Sequence, residues 1–279
     1  MSELQADIQL FICPTPIGNL SDITLRTINT LKNVDLIACE DTRVSGKLLK
    51  HYQIKKELIS YHEHNKHQAG QMLIDKMKSG QTVALISDAG MPGINDPGSE
   101  LILRCQEEEI SYSVLPGPSA FTTALVYSGM DSSSFAFRGF FPKSNKDKNR
   151  MEKTLAREEL TTIFYETPHR ITKTLDWIAE LWPEREIAVI REISKIYEEM
   201  IKGTAINVVE KTADRQLKGE LVLIIAGIKE QVALEYDQES LEELFTMYTE
   251  QGLTKKEAVA KMAFSTGIRK NVLNQKFAR

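Results

Sequence analysis

Cysteine, aromatic residues and long apolar runs are all scarce in this chain, and each shortage removes a class of protein. The three cysteines, Cys13, Cys39 and Cys105, are an odd number at wide spacing. They make neither the paired frame of a small secreted domain nor the close ligand set of a zinc site, and fit reduced core thiols of a cytosolic protein. No apolar run approaches the length that crosses a bilayer, and Asp7 with Glu3 nearby spoils a signal-peptide reading of the N-terminus. A soluble, cytoplasmic chain with no membrane partner is expected. Positive charge is not in surplus, and the formal net charge of -4 argues against a wholly basic nucleic-acid binder while leaving room for basic patches. The glycines form neither G-x-G-x-x-G nor a Walker A motif, because no Lys-Ser/Thr pair follows them, which disfavours a phosphate cradle. Three of the five histidines, His62, His64 and His67, crowd together. Positions i, i+2 and i+5 share no helix face and no cysteine or carboxylate motif completes a site, so a polar loop capped by Asn65 is expected and no metal.

What is present is a globular composition, 42% hydrophobic and 27% charged over 279 residues, with a repeated pattern in the first half. An apolar strand, a Gly/Pro loop and a helix follow one another three times. Gln9 to Cys13 leads into Pro14-Thr15-Pro16-Ile17-Gly18-Asn19 and then a helix capped by Ser21 or Asp22 with a Leu25, Ile28, Leu31 stripe. Thr82 to Ile86 leads into the loop from Ser87 to Gly98, and Tyr112 to Leu115 leads into Pro116-Gly117-Pro118-Ser119-Ala120. Such alternation predicts right-handed crossovers and a largely parallel sheet, with the three loops converging on one edge, where open α/β sheets bind ligands. Strand Asp35 to Cys39 ends in Glu40-Asp41-Thr42-Arg43, which reads equally as a helix cap with a solvated ion pair or as substrate-facing chemistry.

A polar joint at Ser128 to Ser134 divides this half from a second style of sequence, whose strands at Thr161 to Glu166, Ile187 to Ile190 and Glu220 to Ile225 predict a mixed sheet. Lys143 to Arg150 is expected as a solvated, mostly basic loop, with contact to RNA phosphates as the alternative. From Glu239 onward apolar residues recur at helical spacing. Beyond Gln251 the charge is nearly all positive, with Lys255, Lys256, Lys261, Arg269, Lys270, Lys276 and Arg279 against Glu257, which favours a nucleic-acid partner despite the acidic total. The expected divisions are 1–127, 128–230 and 231–279.

Taken in order, Thr15-Pro16-Ile17-Gly18-Asn19-Leu20, Cys39-Glu40-Asp41-Thr42-Arg43, Ile59-Ser60-Tyr61-His62-Glu63-His64-Asn65, Ser87 to Gly98, Leu115 to Ala120 and Phe164-Tyr165-Glu166-Thr167-Pro168-His169-Arg170 resemble the ribosomal-RNA branch of the tetrapyrrole methylase family. The resemblance runs from about Phe11 to Gly227. It implies a two-domain α/β fold with a parallel-sheet N-terminal domain, a mixed-sheet second domain and a small helical tail, and S-adenosylmethionine bound between the domains. It also implies 2'-O-methylation of a cytidine ribose in 16S rRNA of the small ribosomal subunit, and a homodimer. By the family pattern Asp88, Gly90, Met91, Ser119, Ala120 and Tyr165 fall where the cofactor binds, with Gly18 nearer the reacting methyl. Met91 departs from the Thr or Tyr usual there, which a backbone contact would tolerate. Methyl transfer to a hydroxyl needs alignment and removal of one proton. Glu40, Asp41 and His62 are the candidate bases, while Arg43 suits an incipient alkoxide or a phosphate. His169 and Arg170 suit RNA contact or helix capping equally. A tetrapyrrole acceptor and a non-catalytic RNA-binding assembly factor are the competing readings.

Overall fold

A computed structural model describes residues 7–228, 238–266, 268 and 270–277. The first half alternates β1 (Leu10–Ile12), α1 (Leu25–Asn33), β2 (Leu36–Cys39), α2 (Thr42–His51), β3 (Glu57–Ser60), α3 (Lys66–Lys78), β4 (Val83–Ile86), α4 (Gly98–Glu107), β5 (Tyr112–Val114) and α5 (Ala120–Ser128). Its strands form one wholly parallel sheet in the order β3-β2-β4-β1-β5. Successive side chains of a strand point to opposite faces, and here both faces are covered. Leu10, Ile12, Leu36, Ala38 and Leu85 meet Leu73 and Met77 of α3 and Leu101 and Cys105 of α4. Phe11, Ile37, Cys39, Ala84 and Ile86 meet Leu31 of α1 and Leu49 of α2. Double coverage explains why β2 and β4 read as unbroken apolar runs, with each fully buried Leu or Ile contributing about 1.5–3 kcal/mol.

The second sheet is built from β6 (Phe135–Phe140), β7 (Thr161–Glu166), β8 (Glu186–Arg191), β9 (Glu199–Thr204) and β10 (Leu221–Ile225). Its order is β6-β7-β10-β8-β9, with β6 and β7 parallel and every other pair antiparallel. Helix α5 lays Ala124 and Leu125 against Ile163, Ala188, Ile190, Val222 and Ile224 on one face of this sheet. Between β6 and β7 runs α6 (Asn145–Leu155), while α7 (Ile171–Leu181) and α8 (Ala205–Thr212) complete the elements up to β10. Phe141 packs edge-on against Phe164 and Trp177 of α7.

The chain separates into two compact units, Met1–Lys143 with Thr161–Ala226, and Ser144–Leu160 with Gly227–Arg279. Both sheets lie in the first. The second holds α6 and the tail helices α9 (Gln238–Glu250), α10 (Lys255–Thr266) and α11 (Lys270–Phe277), whose core gathers Leu241, Tyr248, Val259, Met262 and Leu273. Arg269 and Arg279 of the basic tail lie outside the described residues.

Several local expectations give way. Thr24, not Ser21 or Asp22, caps α1 by accepting from the Thr27 N–H, and Leu25 is 79% exposed rather than part of the core stripe. Asn19 instead caps a short 3-10 turn at Leu20–Asp22. Asn65 stands ahead of α3 without capping it; its side chain accepts from His62 N–H and donates to the Ser60 carbonyl, folding the loop on itself. Lys143 to Arg150 is not a loop, because Ser144 caps α6 by accepting from Asp147 N–H while its hydroxyl donates back to the Asp147 carboxylate. This reciprocal pair is a variant of the capping box, and its spacing outweighs the charge of the segment.

Candidate functional site

In a parallel sheet all strands end on one edge, and β4, β1 and β5 are neighbours, so their three Gly/Pro loops leave side by side. They are fastened together. Thr15 and Gly90 exchange backbone hydrogen bonds of 2.9 and 3.0 Å, and the Thr15 hydroxyl donates to the Ser87 carbonyl at 3.0 Å. Gly90 has a φ of 82°, and a Cβ there would lie 3.3 Å from Ile17 and 3.6 Å from the Pro118 carbonyl, so the three loops meet at this residue. Gly117 is pressed onto Pro14, where a Cβ would come within 2.7 Å of the proline ring.

Beyond these loops opens a cleft of about 400 Å³, within the range of small-molecule sites. One wall is formed by Ala89, Gly90 and Met91 with Ser119 and Ala120; the facing wall is Tyr165, Leu221 and Val222 of the second sheet with Ile193. Ser119 holds the N-cap position of α5, yet its side chain makes no capping bond, which leaves its hydroxyl and the first-turn N–H groups beside the cleft. Tyr165 and Val222 face each other across the antiparallel β7/β10 pair. The Tyr165 ring is fixed edge-on by Phe137 at 5.0 Å and Phe140 at 5.7 Å, and burial pushes its phenol up despite the opposing Phe121 N–H.

Carboxylates gather at the other end of the cleft, where β2 and β4 terminate in register at Cys39 and Ile86. Glu40 lines the cleft, and its carboxyl is raised above the ordinary glutamate range by burial first, then by the negative charges of Asp88 and Asp96, with His62 opposing. Asp96 also lines it. One Asp96 oxygen accepts from the N–H groups of Gly93 and Gly98 at 2.8 and 2.7 Å, and burial raises its carboxyl in spite of them. Asp88 stands behind, accepting from the Asp41 N–H at 3.2 Å, and is likewise raised by burial.

Asp41 caps α2 through the Arg43 N–H and pairs with the Arg43 guanidinium at 2.7 Å, which holds the Asp41 carboxyl far below the usual range. The Arg43 side chain is 87% exposed. His62 lies beside the β2 terminus, its Nδ1 buried with no partner among the described residues.

Of the residues singled out from sequence, Glu40, Gly90, Met91, Ser119, Ala120 and Tyr165 line the cleft together. Asp88 adjoins it, whereas Asp41, Arg43 and His62 surround its acidic end without lining it. Gly18 is exposed and does not line it, lying against the Ile193 carbonyl and Lys195. Asp96 escaped attention, although its place before Pro97-Gly98 at the head of α4 was a signal for a backbone-binding carboxylate. Leu221 and Val222 had no such signal, because strand pairing carries them to the cleft, and neither did Ile193, in the loop that follows β8.

The chemistry of this lining is selective. Among the described residues no Lys, Arg or His lines the cleft, so a polyphosphate finds no partner among them. Apolar lining residues, the amino end of α5 and carboxylates without a cationic partner among the described residues suit a ligand with an apolar or heteroaromatic body and a positive charge. S-adenosylmethionine, with its adenine and its sulfonium, has that character, so the residues present fit it.

Comparisons with known proteins show the family. Residues 9–208 match the family described as Tetrapyrrole (Corrin/Porphyrin) Methylases. The chain is 41% identical over 267 residues to a protein of Synechocystis sp. named ribosomal RNA small subunit methyltransferase I, covering 95% of this chain and 96% of that one. A protein of the same name from Bacillus subtilis is 43% identical over 265 residues, covering 94% and 91%. Among solved structures, a diphthine synthase is similar in fold, with a TM-score of 0.62 at 13% identity, covering 78% of this chain and 89% of that one.

Proposed function

The chain belongs to the tetrapyrrole methylase family, and from that premise we propose that it transfers a methyl group from S-adenosylmethionine to the ribose 2'-hydroxyl of a cytidine in 16S rRNA of the small ribosomal subunit. The observation that carries the proposal is the cleft in which three Gly/Pro loops of a parallel sheet face Tyr165 and β10, with the carboxylates of Glu40 and Asp96 at its end. The near full-length likeness to proteins named for ribosomal RNA supports that acceptor over a tetrapyrrole.

When bound, S-adenosylmethionine supplies a methyl carbon already activated by its sulfonium, so the protein's task is alignment and the handling of one proton. Gly90 and Met91 present backbone from one side, Ser119 and Ala120 add the hydroxyl and the amino end of α5, and Tyr165 closes the opposite side. Glu40 is assigned as the base that draws the proton from the 2'-hydroxyl. Its raised carboxyl keeps proton affinity closer to neutral pH than a free glutamate has, which favours general-base work. His62 stands near Glu40 and tempers its charge, while Asp41 and Asp88 hold the loop that carries it. Arg43, exposed at the first turn of α2, is placed to hold an RNA phosphate, with Asp41 fixing its orientation until RNA binds.

The test is methyl transfer from labelled S-adenosylmethionine to small ribosomal subunits lacking the mark, with a tetrapyrrole as the alternative acceptor. Label on one cytidine ribose of 16S rRNA is the expected result. Label on the tetrapyrrole alone, or on neither, defeats the proposal.

A further inference from the structure

Methyl transfer leaves the carbon–sulfur electron pair on sulfur, so the donor is a cation and the spent product is a neutral thioether of almost the same shape. We propose that Glu40 and Asp96 make the cleft read that difference, binding the sulfonium donor more tightly than S-adenosylhomocysteine and so favouring exchange of product for fresh donor. This inference rests on the reading of the cleft as a methyl-donor site.

The argument is one of uncompensated charge. Among the described residues four carboxylates line the cleft, Glu40, Asp96, Glu166 and Glu220, against no cationic side chain. Two of the four are already satisfied. Glu166 is held by Arg170 at 3.2 Å and by the Thr174 hydroxyl at 2.6 Å, and Glu220 pairs with Lys195 at 3.1 Å. The other two are not. Among the described residues no group donates a hydrogen bond to the Glu40 carboxylate, and Asp96 spends one oxygen on Gly93 and Gly98 while the other has no partner.

The lining between these carboxylates and Tyr165 includes the apolar Ile17, Ala120, Ile193 and Val222; Asp96 is half-buried, so its charge is screened less by water than that of Glu40, which is exposed at the rim. The neighbours Asp41 and Asp88 add charge of the same sign. Repulsion within the group already disfavours ionisation of Glu40, and a cation entering the cleft relieves it where a neutral sulfide cannot.

Calorimetric titration of the full chain tests this with three probes: S-adenosylmethionine, S-adenosylhomocysteine and sinefungin, whose protonated amine takes the sulfonium's place. The wild type should bind both cations about tenfold more tightly than the thioether, a difference of ~1.4 kcal/mol. Glu40→Gln and Asp96→Asn should each shrink that ratio severalfold by weakening the cations, with the thioether affinity within about twofold of wild type, as expected for loss of one charge contact. Glu40 makes no hydrogen bond that the glutamine could break, so its variant folds and carries the test even if the Asp96 change disturbs its loop. Val222→Ala, which alters the wall without charge, should move all three affinities together. Equal or tighter binding of the thioether by the wild type, or an unchanged ratio in both charge variants, overturns the inference and leaves the donor assignment standing. Failure of all three probes to bind the wild type overturns the donor assignment itself.

Discussion

Replacing Glu40 by glutamine keeps the shape of the side chain and removes the only cleft carboxylate to which the proposed reaction assigns a proton. A positioned general base contributes roughly 10²–10⁴ in rate, about 3–5 kcal/mol of barrier. The turnover number for methylation of small subunits should therefore fall by that factor. Stability should move the other way. Burial and the like charges of Asp88 and Asp96 raise the folded carboxyl above its unfolded value, so ionised Glu40 weakens the fold at neutral pH, and that cost vanishes as pH falls through the raised value. The variant should accordingly melt no lower than wild type at neutral pH. The same shift fixes the pH profile, since wild-type turnover should drop on acidification as Glu40 takes up its proton, at a higher pH than a free glutamate would. Single-turnover transfer of labelled methyl over the acid and neutral range, beside thermal melting, reads both quantities. Turnover within about threefold of wild type, a difference too small for a lost base, would refute the assignment of Glu40, as would an acid limb that persists unchanged in the variant.

Arg43→Ala should raise KM for the RNA substrate while leaving donor affinity and melting temperature unchanged, because among the described residues the exposed guanidinium pairs only with Asp41; a changed donor affinity would contradict its placement outside the cleft. Gly117→Ala sets a methyl against Pro14 and should cost about 1–3 kcal/mol by overpacking, with weaker donor binding, as read by denaturation and calorimetry. Unchanged stability would mean that the first and third loops are not in contact. Arg170→Met leaves the buried Glu166 carboxylate without its cation and should cost about 3–5 kcal/mol in urea denaturation, much of it recovered by adding Glu166→Gln. Burial pushes the Cys13 thiol up to about 12 and Cys105 to about 11, so neither should react with a thiol reagent until the protein is unfolded; prompt reaction in the native state would contradict their burial.

What could be read from the sequence follows from how local each signal is. Strands β2 and β4 were legible because a sheet covered on both faces demands unbroken apolar runs, and the three loops because glycine and proline mark where such strands stop. Their convergence also followed, since parallel strands end on one edge. Helix α6 was hidden by its charge, although Ser144 and Asp147 carried a capping signal. Leu25 looked like core because spacing reveals periodicity and not which face lacks a neighbour. The far wall of the cleft could not be read at all. Leu221 and Val222 reach it only because β10 inserts between β7 and β8, a long-range pairing with no local mark. Glu40 and Arg43 stand together in the run Glu40-Asp41-Thr42-Arg43, with no local mark of which one faces a ligand. The helix that begins at Thr42 separates them, leaving one on the cleft and the other in solvent.

The central claim is that backbone from three loops of the parallel sheet and side chains of the mixed sheet enclose one methyl donor. A crystal structure of the chain grown with S-adenosylmethionine tests it most directly. The account predicts the adenosine between Ser119-Ala120 and Leu221-Val222, the sulfur beside Gly90 and Met91, and the methyl directed toward Glu40. Density for the donor elsewhere on the molecule, or in the cleft with its methyl directed away from Glu40, would contradict it.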